Sequence, residues 1–190
     1  MRRSAFDKLI SWTGLALAAL LVVAGGLATW ANVFIGDQVQ SQLVAQRITM
    51  PEGDALTSVS DADREALEPF AGSPLDTGAE ARAFADHYIL AHMNASSGNR
   101  TYEEVSGEFM ALTDQEKASE AGQEVAALRQ SLFMGNTLRG LLLNAYAFGT
   151  VGLIAGIAAI ASFAGAALLA VLSFLGLRHA KTKEAESVLV

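Results

Sequence analysis

Residues 140–177 read GLLLNAYAFGTVGLIAGIAAIASFAGAALLAVLSFLGL, thirty-eight positions without one charged side chain, opened by Arg139 and closed by Arg178. An uninterrupted apolar run of about 18 or more residues predicts a membrane-crossing helix, because lipid leaves backbone N–H and C=O groups no partners except each other. A second such run occupies residues 9–35, with Asn32 and a few Ser and Thr as its polar interruptions. The pattern predicts an all-α membrane protein. Two antiparallel transmembrane helices extend into a stalk, and a small helical extracytoplasmic domain is inserted between them.

The first run is the larger puzzle. As one helix it measures about 57 Å, nearly twice the roughly 30 Å hydrocarbon core. Folding it back into two crossings would need more residues than it has, and no turn of Pro, Asn or charge divides its middle. The preferred reading is a single crossing over residues 152–177. Residues 138–151 then stand outside lipid, with Leu138, Leu141, Leu142, Ala145 and Phe148 buried against the continuation of the first helix.

Charge orients the pair. Residues 36–139 hold 17 Asp and Glu against seven Lys and Arg, whereas the two ends hold six basic residues against three acids. Basic ends around an acidic middle place both termini in the cytoplasm under the positive-inside rule. The segments that follow are a head at 1–8, a span at 9–35, an acidic domain at 36–136, a long helix at 137–177 and a tail at 178–190. An uncleaved anchor is expected at the N-terminus, since its apolar stretch exceeds the 7–15 residues of a signal peptide. Nothing basic is extensive enough to neutralise several phosphates, so nucleic acid is not an expected partner. The chain has no cysteine, which excludes disulfides, thiolate metal sites and Cys nucleophiles.

The spans carry residues suited to close packing. Gly14, Ala18, Gly25 and Ala28 form a face of little bulk on the first, and Gly149, Gly152, Gly156 and Ala159 begin one on the second. Such faces let helix backbones approach in lipid. Trp12 and Trp30 lie about 27 Å apart along a helix and suit the two headgroup levels, with Tyr146 as a further interface anchor.

Between the spans, Ile35, Val39 and Leu43 continue the first helix on a four-residue repeat toward Met50-Pro51, where proline ends it. Ser60-Asp61-Ala62-Asp63 predicts a short capped helix ending near Glu68-Pro69. Three capping boxes follow: Thr77-Gly-Ala-Glu80, Thr101-Tyr-Glu-Glu104 and Thr113-Asp-Gln-Glu116. They predict helices to about Met93, to about Met110 and toward Met134, with a break at Gly135-Asn136 before the second span.

Candidate chemistry is thin. His87 and His92 are five apart and so about 140° apart around a helix, unlike an i,i+4 pair able to share a metal with Asp86 or Glu108. Asp86 and His87 point to different sides and make no catalytic dyad. No Gly-x-Ser-x-Gly elbow, P-loop or dinucleotide fingerprint occurs, and the spans hold no charge that would mark an ion path. No cofactor, metal or catalytic residue is expected.

Ser4-Ala5-Phe6-Asp7-Lys8 leading into Trp12-Thr13-Gly14, then Ala85-Asp86-His87-Tyr88-Ile89 with His92-Met93-Asn94, then Leu138-Arg139-Gly140, resembles a family of small actinobacterial two-span membrane proteins of unknown function. Its members often carry the label aromatic ring-opening dioxygenase. The resemblance covers most of the chain and implies a plasma membrane. The enzymatic label does not suit these residues: such chemistry takes two histidines and a carboxylate around iron, whereas His87 and His92 are badly spaced and His179 falls beyond the second span. The expected role is non-enzymatic contact with lipid and with another membrane protein or itself, as an accessory or scaffolding subunit. The alternative is an extracytoplasmic sensor that signals through a partner protein, since too little chain follows the second span for a signalling domain.

Overall fold

A computed structural model describes residues 3–188, with side chains described for 4–182; the outermost residues of the basic head and tail lie outside it. The described residues are helical and contain no strand, only an isolated bridge between Thr49 and Pro74. The helices are α1 (Arg3–Ala45), α2 (Asp54–Thr57), α3 (Asp61–Leu67), α4 (Gly78–Ala83), α5 (Leu90–Ser97), α6 (Tyr102–Ala111), α7 (Asp114–Ala118) and α8 (Glu120–Val188). A 3₁₀ turn, Glu68–Phe70, follows α3, and a π-helical turn, Phe84–Ile89, joins α4 to α5.

Two stretches, Ser4–Ala45 and Glu120–Thr182, are long and apolar enough to cross a membrane. Only 17% and 11% of their most apolar windows is buried within the chain, unlike the core helix of a soluble domain. The contacts divide into two compact units: Met1–Ile35 with Val151–Val190, and Gly36–Thr150.

In the first unit, side chains from one helix sit over glycines of the other. Ser11 lies over Gly176, Ser173 over Gly14, Leu21 over Gly165, Phe163 over Gly25, Asn32 over Gly156 and Ile35 over Gly152. As the number on α1 rises, the number on α8 falls in step. The buried positions are Ser11, Ala18 and Gly25 on α1, with Gly152, Ala159, Ala166, Ser173 and Ala180 on α8. Each set repeats every seven residues, the period that keeps one helical seam against a neighbour. A Cβ at Gly25 would touch the Phe163 ring at 3.0 Å, so the glycine makes room for the phenyl edge.

In the second unit all three predicted capping boxes form. Thr77, Thr101 and Thr113 each accept from the backbone N–H three residues on, and Glu80, Glu104 and Glu116 each reach back to the cap N–H. Ser60 caps α3 in the same way, accepting from Asp63 N. The core includes Met50, Leu56, Leu67, Leu75, Val105 and Leu132.

The structure corrects four helix expectations. α1 ends at Ala45 rather than at Met50-Pro51, because Arg47 turns left-handed at φ 53°. The helix opened by Thr113 stops at Ala118. Ser119 turns extended (ψ 161°) and starts α8 afresh, its Oγ accepting from Gly122 N at 3.2 Å. The helix opened by Thr77 runs on past Met93 to Ser97, where Gly98 ends it at φ 66°. At Gly135-Asn136 there is no break. α8 passes through, and Gly135 is buried where any Cβ would run into the Met93 thioether, so it serves packing and not capping.

Glu80 does more than cap α4. Its side chain is buried, and its carboxylate accepts from Ser73 Oγ (2.8 Å), Asp76 N (3.0 Å), Thr77 N (2.9 Å) and Thr77 Oγ (2.9 Å). Burial alone would raise its proton affinity; the hydrogen bonds outweigh burial and hold the carboxyl below its ordinary value. In the unfolded chain Glu80 titrates near pH 4.3. Its stabilisation is therefore complete above that pH and is lost as pH falls through the lower folded value. Thermal melts of the full chain in detergent should fall as pH is taken from about 5 toward 3. Glu80→Gln should cost roughly 2 kcal/mol at neutral pH and flatten that acid dependence; an unchanged slope would show that other carboxylates dominate.

Candidate functional site

One face of α8 holds the helices of the Gly36–Thr150 unit. Toward its start, Arg129 Nε donates to Ser106 Oγ at 2.9 Å, and its guanidinium lies over the Tyr102 and Phe109 rings of α6. Leu132 and Leu142 are buried, and Met93 covers Gly135. At the far end Gly78, the first residue of α4, rests directly on the α8 backbone. A Cβ there would stand 3.1 Å from Tyr146 Cα, 3.3 Å from the Ala145 carbonyl oxygen and 3.6 Å from Gly149 Cα.

The centre of that face is Arg139. Its Nε donates to the Ala85 carbonyl at 3.0 Å and its guanidinium pairs with Asp86 Oδ1 at 3.0 Å. Ala85 and Asp86 belong to the π-helical turn. A π-turn shifts the hydrogen-bond ladder by one residue, and here the Leu90 N–H reaches Ala85 O, which also takes the arginine. Arg82 stands 3.8 Å from the second oxygen of Asp86 and lies over the Tyr146 ring while donating to its hydroxyl at 3.0 Å.

The same turn sends His87 the other way. Its Nδ1 lies 2.9 Å from Asp63 Oδ1. The Ser60 hydroxyl and then His87 hold the Asp63 carboxyl below its usual range, so the ionised oxygen accepts and Nδ1 carries the proton. His92 Nδ1 donates to the Tyr88 carbonyl at 2.8 Å, and Glu108 pairs with Arg100 at 2.6 Å. Asp86, His87, His92 and Glu108 thus face four separate partners. Among the described residues, no group of three His, Cys, Asp or Glu side chains is gathered to hold a metal.

The predicted packing residues divide between the two units. Gly14, Gly25, Gly152 and Gly156 receive side chains of the opposite helix, Ala18 and Ala159 are buried, and Ala28 is half-buried. Gly149 instead meets Gly78. Trp12 and Trp30 are 64% and 65% exposed, with Trp30 stacked on Phe34 at 5.4 Å between ring centres. Tyr146 is the platform for Arg82.

No family model matches this chain, and neither a curated protein nor a solved structure matches it. The site therefore rests on its geometry.

The adjoining face of α8 overturns the expected burial. Leu142 is buried and Ala145 half-buried, but Leu138, Leu141 and Phe148 are 48%, 64% and 54% exposed, and Met134 is 53% exposed. The reason is rotational. Arg139, Leu142, Tyr146 and Gly149 turn toward α4 and the π-turn, which leaves the other residues outward. Met134, Leu138, Leu141, Ala145 and Phe148 fall within an arc of about 80° at 100° per residue, along about 21 Å of helix. An apolar strip of that length outside a core marks a contact surface.

Proposed function

We propose that this chain is an integral protein of the plasma membrane that works by protein–protein contact, as an accessory or scaffolding subunit of a larger membrane assembly. α1 and α8 cross the bilayer as an antiparallel pair, both termini are cytoplasmic, and the acidic helical segment between them is extracytoplasmic. The opposed numbering of the residue pairs between α1 and α8 supports the antiparallel arrangement, and the basic ends support the orientation.

The observation that carries the reading is the outward strip on α8. The bilayer covers roughly 30 Å, about 20 residues of helix. A crossing over residues 152–177 uses all of that, and Met134, Leu138, Leu141 and Phe148 lie before it. On that crossing lipid does not reach them, and an apolar strip left outside lipid is the kind of surface that a protein partner covers. The sites where sequence hinted at chemistry, Asp86 and His87, are committed to Arg139 and Asp63.

The test is the protein mass of the full chain purified in mild detergent, by native mass spectrometry. A protein mass well above the 19.9 kDa of one chain is expected. It should drop to one chain when Leu138→Glu and Leu141→Glu are combined, both at exposed positions where folding does not suffer. A wild-type particle holding a single chain would overturn the reading.

A further inference from the structure

A hollow of about 500 Å³ lies between α1 and α8 near the ends that carry the chain termini, within the range of small-molecule sites. Residues too small to fill it make its floor: Ser11 and Gly14 on α1, Ser173 and Gly176 on α8. Ile10, Leu172 and Leu175 wall it and are each more than half exposed, so it opens sideways to whatever surrounds the helix pair. Its two ends differ in chemistry. Leu169 lies at one end, and Asp7 and His179 stand at the other. From Leu169 to His179 is about 15 Å of helix, half of the roughly 30 Å hydrocarbon core. With the second crossing ending at residue 177, Asp7 and His179 stand at the headgroup level of the cytoplasmic leaflet, and the apolar length reaches toward the bilayer centre. A site as deep as one leaflet, apolar along its length and polar at its mouth, has the outline of a phospholipid.

The mouth selects the head group. Asp7 is half-buried, and among the described residues neither its carboxylate nor the His179 ring has a hydrogen-bond or ion-pair partner. A carboxylate only accepts, whereas an imidazole N–H donates to a phosphate oxygen. A head group with a phosphate and no cation would set like charge beside Asp7. The quaternary ammonium of choline has no N–H and is held by aromatic rings, and no residue lining the hollow is aromatic. A primary ammonium supplies N–H donors that a carboxylate binds strongly. Arg178 and Lys181 are exposed and do not line the hollow, so the basic tail draws anionic lipid to its surroundings and not into it. We infer that the hollow holds an ethanolamine phospholipid of the cytoplasmic leaflet, with its ammonium on Asp7, its phosphate on His179 and one acyl chain along Leu175, Leu172 and Leu169. This rests on α1 and α8 crossing the bilayer and is independent of what covers the outward strip.

The full chain in mild detergent is titrated separately with phosphatidylethanolamine, phosphatidylglycerol and phosphatidylcholine of identical acyl chains, and bound lipid is counted per chain by native mass spectrometry. One phosphatidylethanolamine per chain should be held about tenfold more tightly than either of the others, the scale of one charge-assisted hydrogen bond. Asp7→Asn should bring the three lipids to parity. Asp37→Asn makes the same charge change at an exposed position of α1 outside the hollow and should leave the preference intact. Equal retention of the three lipids by the unaltered chain, tighter retention of the glycerol or choline lipid, retention of none, or a preference that survives Asp7→Asn overturns the site. Lipid adducts are counted whatever number of chains the particle holds, so this failure is distinct from failure of the protein-contact reading.

Discussion

Replacing Gly122 by valine should destabilise the helical unit by about 4 kcal/mol, among the largest effects of any single substitution in the chain. The α7–α8 corner is built around this position. A Cβ on Gly122 would run into the Glu116 carbonyl oxygen and stand 2.8 Å from Lys117 Cα and 2.9 Å from the Glu116 carbonyl carbon. All three are backbone atoms, so no side-chain rotation relieves the overlap. α7 has to swing away from α8, and the Ser119 cap that accepts from Gly122 N is lost with it. Denaturant titration of the full chain in detergent, followed by circular dichroism, measures the cost. Gly107→Val is the matched control, because nothing lies within 4 Å of where its Cβ would be. There only helix propensity acts, and it slightly favours valine over glycine, so no loss is expected. Equal losses at the two sites would show that the corner yields at little cost.

Arg139→Leu should cost about 3 kcal/mol. The substitution leaves Asp86, with a side chain 29% exposed, without its close cation, and takes one donor from the Ala85 carbonyl. Arg82, at 3.8 Å, is too distant to replace a bond of 3.0 Å. Adding Asp86→Asn should recover part of the loss, since the uncompensated charge goes with it. Arg139→Lys should fall between, a single ammonium being unable to serve the carbonyl and the carboxylate with the guanidinium's forked geometry. The same denaturation experiment reads all three. A loss below about 1 kcal/mol for Arg139→Leu would put the pair with ordinary surface ion pairs.

What was legible in the sequence was whatever rests on neighbours along the chain. The charge-free run from 140 to 177, the three Thr-x-x-Glu boxes and the Ser60 cap depend on contacts within four residues, and each opened a helix where it was read, although the Thr113 helix stopped at Ala118 and the Thr77 helix ran on to Ser97. Arg139 and Asp86 are 53 positions apart, and no local pattern announces that one will stabilise a π-turn at the other. The rotation of α8 was hidden for the same reason. Which of its faces turns inward depends on Gly78 and Met93, residues of the inserted helices, so Leu142 was buried as expected while Leu138, Leu141 and Phe148 turned outward and Arg139, Tyr146 and Gly149 turned inward. Gly135 misled because glycine ends helices as often as it makes room inside them, and only the Met93 side chain decides between the two. One signal was available and went unused. Ser11, Ala18, Gly25 and Asn32 stand seven apart, which names the seam more fully than the small-residue face alone.

That seam has a weakness built into its regularity. A row of alanine, glycine and serine at constant intervals looks the same after a shift of seven residues, so on its own it would let α8 slip past α1 to an equivalent docking. The unequal pairs remove the ambiguity. A shift of one repeat in one direction carries Phe163 from the hollow at Gly25 onto Asn32, where a phenyl ring and an amide cannot share the space. Smoothness gives these two helices their closeness, and a few misfits act as detents that leave them a single place to stop.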